Sequence, residues 1–145
     1  MSKNHDIVAT LRDIHHLFSF DVNLADLPKI EGSGYKLLWF SDYYDGEING
    51  MLLYKDRKYW YQIYSESEDE DYSDYYRRYI IIELTELEVA EEEYWYKLFQ
   101  EKVGYPIATQ PQEMWSEFYE PYKNRKPQDI SKNRVIGWFE TNIRK

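Results

Sequence analysis

The chain has 145 residues, of which 43% are hydrophobic and 19% are aromatic, and it carries a net charge of −9. So many aromatic side chains exclude a disordered chain, and the length suits one hydrophobic core, so we expect a single domain over residues 1–145. The absence of cysteine excludes disulfide bonds and thiolate chemistry, and the negative charge disfavours direct binding to nucleic acid.

The first residues predict an amphipathic helix over about residues 6–18, because Ile7, Leu11, Ile14 and Phe18 recur at helical spacing. Charged and polar residues interrupt this stretch, so it does not have the apolar centre of a secretory signal. No run of about 18 apolar residues is available to cross a membrane. We therefore expect a cytoplasmic protein with no membrane partner.

Residues 36–64 predict three strands joined by short turns, which together form an antiparallel meander. Aromatic and aliphatic residues alternate here with turn-forming pairs such as Asp45-Gly46 and Asn49-Gly50. The polar residues 55–58 suit a short hairpin connection. The three predicted strands cover residues 36–42, 49–54 and 58–64.

A fourth strand and a long helix follow. Residues 77–84 are β-branched and apolar on both faces, which is typical of a strand covered on both sides. Residues 85–88, with the sequence TELE, form a capping box. The hydroxyl of Thr85 accepts a hydrogen bond from the amide of Glu88, and the carboxylate of Glu88 accepts one from the amide of Thr85. This box predicts the start of an amphipathic helix that ends near Val103.

The remaining residues predict a short helix at 112–119 and a last strand, or a short helix, within residues 133–143. Together the elements predict an α+β fold. We expect an antiparallel sheet of four or five strands in meander order, with the long helix packed on one face and the N-terminal helix nearby.

Residues 65–76, with the sequence SESEDEDYSDYY, predict an acidic loop that could serve as an interaction surface. A negative surface attracts a cationic partner by long-range steering, and tyrosines set among carboxylates suit contacts with lysine and arginine. The alternative is that the charges only keep the chain soluble. The residues of the predicted interaction surface are Glu66, Glu68, Asp69, Glu70, Asp71, Tyr72, Asp74 and Tyr75.

This surface favours a small acidic, non-enzymatic interaction protein that binds a basic protein partner. Immunity proteins, antitoxins and inhibitors that mimic nucleic acid are proteins of this type. The comparison rests on size and charge, since no sequence motif carries it.

A second class of function is a small-molecule or carbohydrate-binding module, or a hydrolase, at the loop of the first hairpin. Carboxylates beside tyrosines can transfer protons or hold a polar ligand, although aspartate and glycine in such a loop also serve turn geometry alone. The residues of this alternative ligand loop are Asp42, Tyr43, Tyr44, Asp45 and Glu47.

No motif predicts a metal, a cofactor or a catalytic nucleophile, so we expect none of these. His15 and His16 are adjacent on the predicted helix and point about 100° apart, which does not suit a shared metal ion. The glycines at 32 and 34 precede a predicted strand, whereas a phosphate-binding loop leads into a helix. A third alternative is a homodimer that covers part of the aromatic surface.

Overall fold

The computed structural model describes residues 18–43, 47–68, 75–102, 121–122, 124–126 and 128–142. The chain divides into two compact units, one formed by Met1–Leu84 with Ile130–Lys145 and the other by Thr85–Asp129. We call them the sheet unit and the helix unit. The predicted helix at 6–18, apart from Phe18 itself, and the predicted helix at 112–119 lie outside the described residues.

The sheet unit is a five-stranded antiparallel meander, in which neighbours in the chain are neighbours in the sheet. The predicted α+β class and meander order are therefore confirmed. The strands, in sheet order, are β1 (Tyr35–Tyr43), β2 (Glu47–Tyr54), β3 (Arg57–Glu68), β4 (Tyr75–Ile82) and β5 (Val135–Asn142).

The helix unit contains α1, Glu86–Lys102, which begins at the predicted capping box. The amide of Thr85 donates to the carboxylate of Glu88 over 2.8 Å, and the amide of Glu88 donates to the hydroxyl of Thr85 over 3.1 Å. No side chain of α1, which the structure describes in full, is buried, and Leu87 is 83% exposed. The packing of this helix on the sheet stays a prediction.

The first face of the sheet carries an aromatic core. The rings of Tyr79 and Phe139 stack at 4.9 Å, and Tyr61 meets both of them edge-on, at 5.7 and 5.8 Å. Such edge-on and stacked pairs add to the free energy that burial alone provides. The buried residues of this core are Ile30, Ile48, Leu52, Tyr59, Tyr61, Ile63, Tyr79, Ile81 and Phe139.

The second face of the sheet is buried as well, and the chain before β1 is bonded to it. The side-chain amide of Gln62 donates to the carbonyl of Phe18 over 2.7 Å, and the hydroxyl of Tyr64 donates to the carbonyl of Val22 over 2.6 Å. Because both faces are covered, Ile80, Ile81 and Ile82 of β4 are all fully buried. The prediction of a strand covered on both sides is confirmed.

The outer edge of β5 is partly paired. The amide of Ile30 donates to the carbonyl of Trp138 over 2.8 Å, and the amide of Trp138 donates to the carbonyl of Pro28 over 3.1 Å. This short parallel bridge satisfies part of an edge that would otherwise offer free backbone groups. Among the helices that the structure describes, none is long and apolar enough to cross a membrane.

We predict that Gly50→Ala destabilises the sheet. A Cβ atom at this position would collide with the carbonyl oxygen of Trp39 and lie 2.7 Å from the Cα atom of Phe40, so β1 would have to move. We expect a loss of about 2 kcal/mol in the free energy of unfolding, measured by urea denaturation. Gly32→Ala is the control, because a Cβ at Gly32 meets no atom within 4 Å. Equal stability of the two variants would contradict the prediction.

The turn between β2 and β3 generates a second prediction. Lys55 and Asp56 have φ angles of 50° and 64°, which is the left-handed region that both central residues of a type I′ hairpin turn occupy. A non-glycine residue is strained there, so Asp56→Gly should raise the free energy of unfolding by about 1 kcal/mol. Lys58→Gly, in the adjoining strand, should instead lower it. An Asp56→Gly variant that unfolds more easily than the wild type in urea would refute this expectation.

Candidate interaction surface at one end of the sheet

The meander brings two carboxylate-rich stretches to the same end of the sheet. β1 and β3 both finish at this end, and β2 and β4 both begin there. Residues 42–47 and 66–75, which we call the acidic end, contain nine carboxylates and no lysine or arginine. The carboxylates are Asp42, Asp45, Glu47, Glu66, Glu68, Asp69, Glu70, Asp71 and Asp74.

Part of the predicted interaction surface lies in paired strands. Glu66 and Glu68 belong to β3, and Tyr75 is the first residue of β4 and the register partner of Glu68. β3 therefore continues past Tyr64, where the predicted strand ended, because residues 75–78 pair with its last four residues. The other members of the predicted surface lie outside the described residues, and they are Asp69, Glu70, Asp71, Tyr72 and Asp74.

The alternative ligand loop is divided in the same way. Asp42 and Tyr43 end β1, and Glu47 begins β2. Tyr44 and Asp45 lie outside the described residues, as do the side chains of the other three. A small-molecule or carbohydrate site at this loop therefore stays a prediction.

The β3–β4 hairpin extends beyond the part of the sheet that includes β2. The pairing of β2 with β3 ends at Asn49 opposite Gln62, whereas the pairing of β3 with β4 continues to Glu68 opposite Tyr75. Six further residues of a strand span about 20 Å. On the other side of the hairpin, β5 accompanies β4 as far as Tyr76. The acidic hairpin is thus an arm with one side supported by β5.

An irregularity in β3 turns Glu66 towards the first face. Ile63 is opposite Tyr79, but Ser65 is opposite Arg78, so β3 has one residue more than β4 in this interval. An extra residue reverses the alternation of side chains along a strand. Glu66 consequently lies opposite Arg77, on the face that carries the aromatic core.

Arg77 is fully buried beneath this arm. Its guanidinium carbon lies 5.6 Å from the centre of the Tyr75 ring, a distance at which a cation is attracted to the ring face. Burial by itself lowers the pKa of Arg77, but its interactions with Tyr75 and Tyr79 outweigh burial and raise the pKa. Arg77 therefore keeps its charge inside the protein.

The hydroxyl of Tyr75 donates a hydrogen bond to the carboxylate of Glu66. Burial and, to a smaller extent, the hydrogen bond to Glu66 raise the pKa of Tyr75 to about 12, against the opposing effect of Arg77. At neutral pH, Tyr75 is therefore a neutral donor between a carboxylate and a buried cation. Glu66, Tyr75 and Arg77 form a polar cluster, which we call the arm cluster, at the base of the acidic arm.

Arg78, the other arginine of the pair, lies on the second face and is bound to a carboxylate. Its Nε atom is 2.9 Å from the carboxylate of Glu140, its register partner, and Lys29 is 3.8 Å from the same group. In the sequence, the two arginines look like counter-charges to the acidic run. In the structure, Arg77 is buried in the core and Arg78 is paired with Glu140 of β5.

The sequence interpretation did not identify Arg77 as a member of the site. One signal could have done so, because residues 77, 79 and 81 share a face in any continuous strand and two of them are core residues. The position of Glu66 had no such signal, because the bulge depends on how β3 and β4 pair.

Comparison of the chain with protein-family models, with curated proteins and with solved structures found no match.

The raised pKa of Tyr75 predicts how stability depends on pH. The folded state favours the neutral phenol, so this contribution is complete below pH 10 and is lost as the pH rises through about 12. Because Tyr75 is only half-buried, we expect its ionisation to lower the free energy of unfolding by up to about 1 kcal/mol in this range. Urea unfolding at pH 8.5 to 11.5 should show a smaller loss for Tyr75→Phe than for the wild type.

Glu66→Gln separates the two causes of this shift. It removes the charge that accepts the hydrogen bond of Tyr75 and leaves the burial of the ring in place, so the loss at high pH should be reduced but not abolished. If the free energy of unfolding falls equally with pH in the wild type and in Tyr75→Phe, the phenol of Tyr75 does not contribute to the pH dependence of stability.

Proposed function

We propose that the acidic end of the sheet binds a basic protein and that the chain is a non-enzymatic interaction protein. The observation that supports this function is the convergence of two stretches, residues 42–47 and 66–75, at one end of one sheet. Together they carry nine carboxylates without a cation. In the sequence these stretches are separated by 18 residues and read as two unrelated candidate sites.

The spacing of the strands supports a shared electrostatic role. Neighbouring strands lie about 4.8 Å apart, so the β1–β2 and β3–β4 hairpins are about 10 Å apart across the sheet, and the β3–β4 hairpin also projects further along the strand direction. At low ionic strength, where the Debye length reaches about 30 Å, the fields of the two stretches overlap, whereas at the physiological length of about 8 Å they are largely screened from each other. An overlapping negative field steers a cationic partner and raises the association rate constant.

The arm cluster supports binding by fixing the base of the hairpin. Arg77 is fully buried and Tyr75 is bonded to Glu66, so the last pairs of β3 and β4 are tied to the core of the sheet unit. A strand that is ordered before binding loses less conformational entropy when the partner arrives. The carboxylates that follow Glu66 are thus attached to a fixed support.

The partner that fits this end presents lysine and arginine side chains. Proteins that bind nucleic acid through phosphate contacts carry such surfaces, and a protein that blocks them needs carboxylates in place of phosphates. The proposal therefore includes inhibitors that mimic nucleic acid, together with immunity proteins and antitoxins, as types of function. Tyrosines beside the carboxylates add flat surfaces for cation–π contacts.

We predict that neutralising the arm abolishes capture of the partner. The test variant carries Glu68→Gln, Asp69→Asn, Glu70→Gln and Asp71→Asn. Immobilised wild-type chain should retain a basic protein from native lysate at 50 mM salt, and the variant should not. With that partner purified, the association rate constant should fall about tenfold in the variant at low salt, and the two rates should converge at 0.5 M salt.

The control variant loses the same charge elsewhere. It carries changes at four exposed carboxylates outside the acidic end: Asp21→Asn, Glu31→Gln, Glu86→Gln and Glu101→Gln. It should bind like the wild type. Equal capture by all three chains, or equal loss in both variants, would show that the acidic end is only a solvated surface.

A further inference from the structure

The helix unit is inserted between two strands that are neighbours in the sheet. β4 and β5 are paired antiparallel, and residues 85–129, which form the helix unit, connect them. Antiparallel neighbours are usually joined by a connection of about two to five residues. A sheet of this topology therefore requires only a short turn at this point.

Hydrogen bonds hold β4 and β5 together where the helix unit begins. The amide of Glu83 donates to the carbonyl of Arg134 over 2.8 Å, and the side-chain amide of Asn133 donates to the carbonyl of Glu83 over 2.8 Å. The carboxylate of Glu83 lies 3.2 Å from the guanidinium of Arg57. These contacts continue the pairing of the two strands beyond their last register pair.

The last residue before the helix unit and the first residue after it are both buried. Leu84 is 4% exposed and Ile130 is 5% exposed. The carbonyl of Leu84 accepts a hydrogen bond from the guanidinium of Arg57 over 3.4 Å, and the carbonyl of Ile130 accepts one from the amide of Asn133 over 3.0 Å. All of these bonds join residues of the sheet unit to one another. We call this place the neck, and its residues are Glu83, Leu84, Ile130, Asn133 and Arg134.

The helix unit buries less than the sheet unit does. Of the residues that the structure describes in the helix unit, none is buried, whereas Ile80, Ile81 and Ile82 of β4 are fully buried. Most of the stability of a helix in a protein comes from the packing of an apolar face, and an isolated helix as short as α1 is marginal in water. α1 therefore has less of the main source of stability than β4 has.

The helix unit closes on itself through half-buried contacts. The ring of Trp95 meets the ring of Tyr122 edge-on at 5.6 Å. The side-chain amide of Gln128 donates to the carbonyl of Glu88 over 3.1 Å and to the carboxylate of Glu92 over 2.8 Å, which joins the end of the unit to its beginning. A hydrogen bond of this kind contributes less to stability than a fully buried apolar side chain does.

We propose that the helix unit is an inserted module that opens and closes as a separate unit of unfolding while the five strands keep their fold. The neck keeps β4 paired with β5 when α1 unfolds, because the neck bonds are made within the sheet unit. Cooperative units of this kind occur in many proteins, and those with few buried contacts open most often.

The opening has two consequences for the chain. The neck lies at the end of the sheet where β4 ends and β5 begins, so opening leaves the two hairpins of the acidic end in place. It also exposes the half-buried rings of Trp95 and Tyr122 to water. The helix unit is therefore the part of the chain whose conformation a binding partner can change at the least cost in free energy.

Hydrogen exchange of the full chain, followed residue by residue by NMR at neutral pH, tests the proposal. The amides of α1 and of β4 are both in regular hydrogen-bonded structure, so the difference between them reports how often each unit opens. The protection factors of the α1 amides should be about 100-fold lower than those of Ile80, Ile81 and Ile82.

Two variants show whether the two openings are separate, and each is the control for the other. Leu98→Pro interrupts α1, so the α1 amides should lose their protection while the β4 amides keep theirs within about threefold. Ile81→Ala removes a buried side chain from the core of the sheet unit. It should lower the protection of β4 by about tenfold or more and leave that of α1 within about threefold.

A milder variant keeps the test decisive if the Leu98→Pro chain precipitates. Thr85→Ala removes the hydroxyl that accepts the hydrogen bond of the Glu88 amide in the capping box. The protection of the α1 amides should fall about fivefold, because the first turn of the helix loses its cap, and the β4 amides should be unchanged.

Three results would overturn the proposal. The first is a wild-type chain in which α1 and β4 have equal protection factors. The second is a Leu98→Pro chain, or a Thr85→Ala chain, in which the strands lose protection together with α1. The third is an Ile81→Ala chain in which the protection of α1 falls by the same factor as that of β4. Each of these results would mean that the chain unfolds as one unit.

Discussion

The burial of β4 on both faces is the constraint on which the rest of the sheet depends. Ile80, Ile81 and Ile82 are all fully buried, so neither face of this half of the strand is open to water. Shifting the register by one residue would exchange the two faces of β4 and place Arg78 where Arg77 lies now. The pairing with β3 and β5 is therefore fixed by packing on both sides, and the position of every residue at the sheet ends follows from it.

The fixed register of β4 places a charged side chain, Arg77, in the core. A charged side chain in a core is costly unless other groups replace the lost water. Here the ring of Tyr75 lies beside the guanidinium, interactions with Tyr75 and Tyr79 favour the charged form, and the bulge in β3 brings Glu66 to the same face. The polar cluster and the bulge are two parts of one arrangement, since without the extra residue Glu66 would lie on the other face.

Because neighbouring strands run in opposite directions, the acidic connections lie together at one end of the sheet. In an antiparallel meander, every second connection lies at the same end, so residues far apart in sequence share one surface. The two acidic connections fall at one end, and the turn at Lys55 and Asp56 falls at the other with Arg57 and Lys58. The proposed binding of a basic partner at the acidic end depends on this topology.

The sequence by itself determined the local elements. Apolar runs broken by turn residues located four strands and left residues 133–143 as a strand or a short helix, and the capping box located the first turn of α1, because these signals act between residues that are close in the chain. It also determined which stretches are acidic. Only the tertiary structure decided that residues 42–47 and 66–75 share one end, that β3 extends to Glu68, and that Arg77 is buried while Arg78 binds Glu140. These features depend on strand register, and register is set by contacts between residues that are distant in sequence.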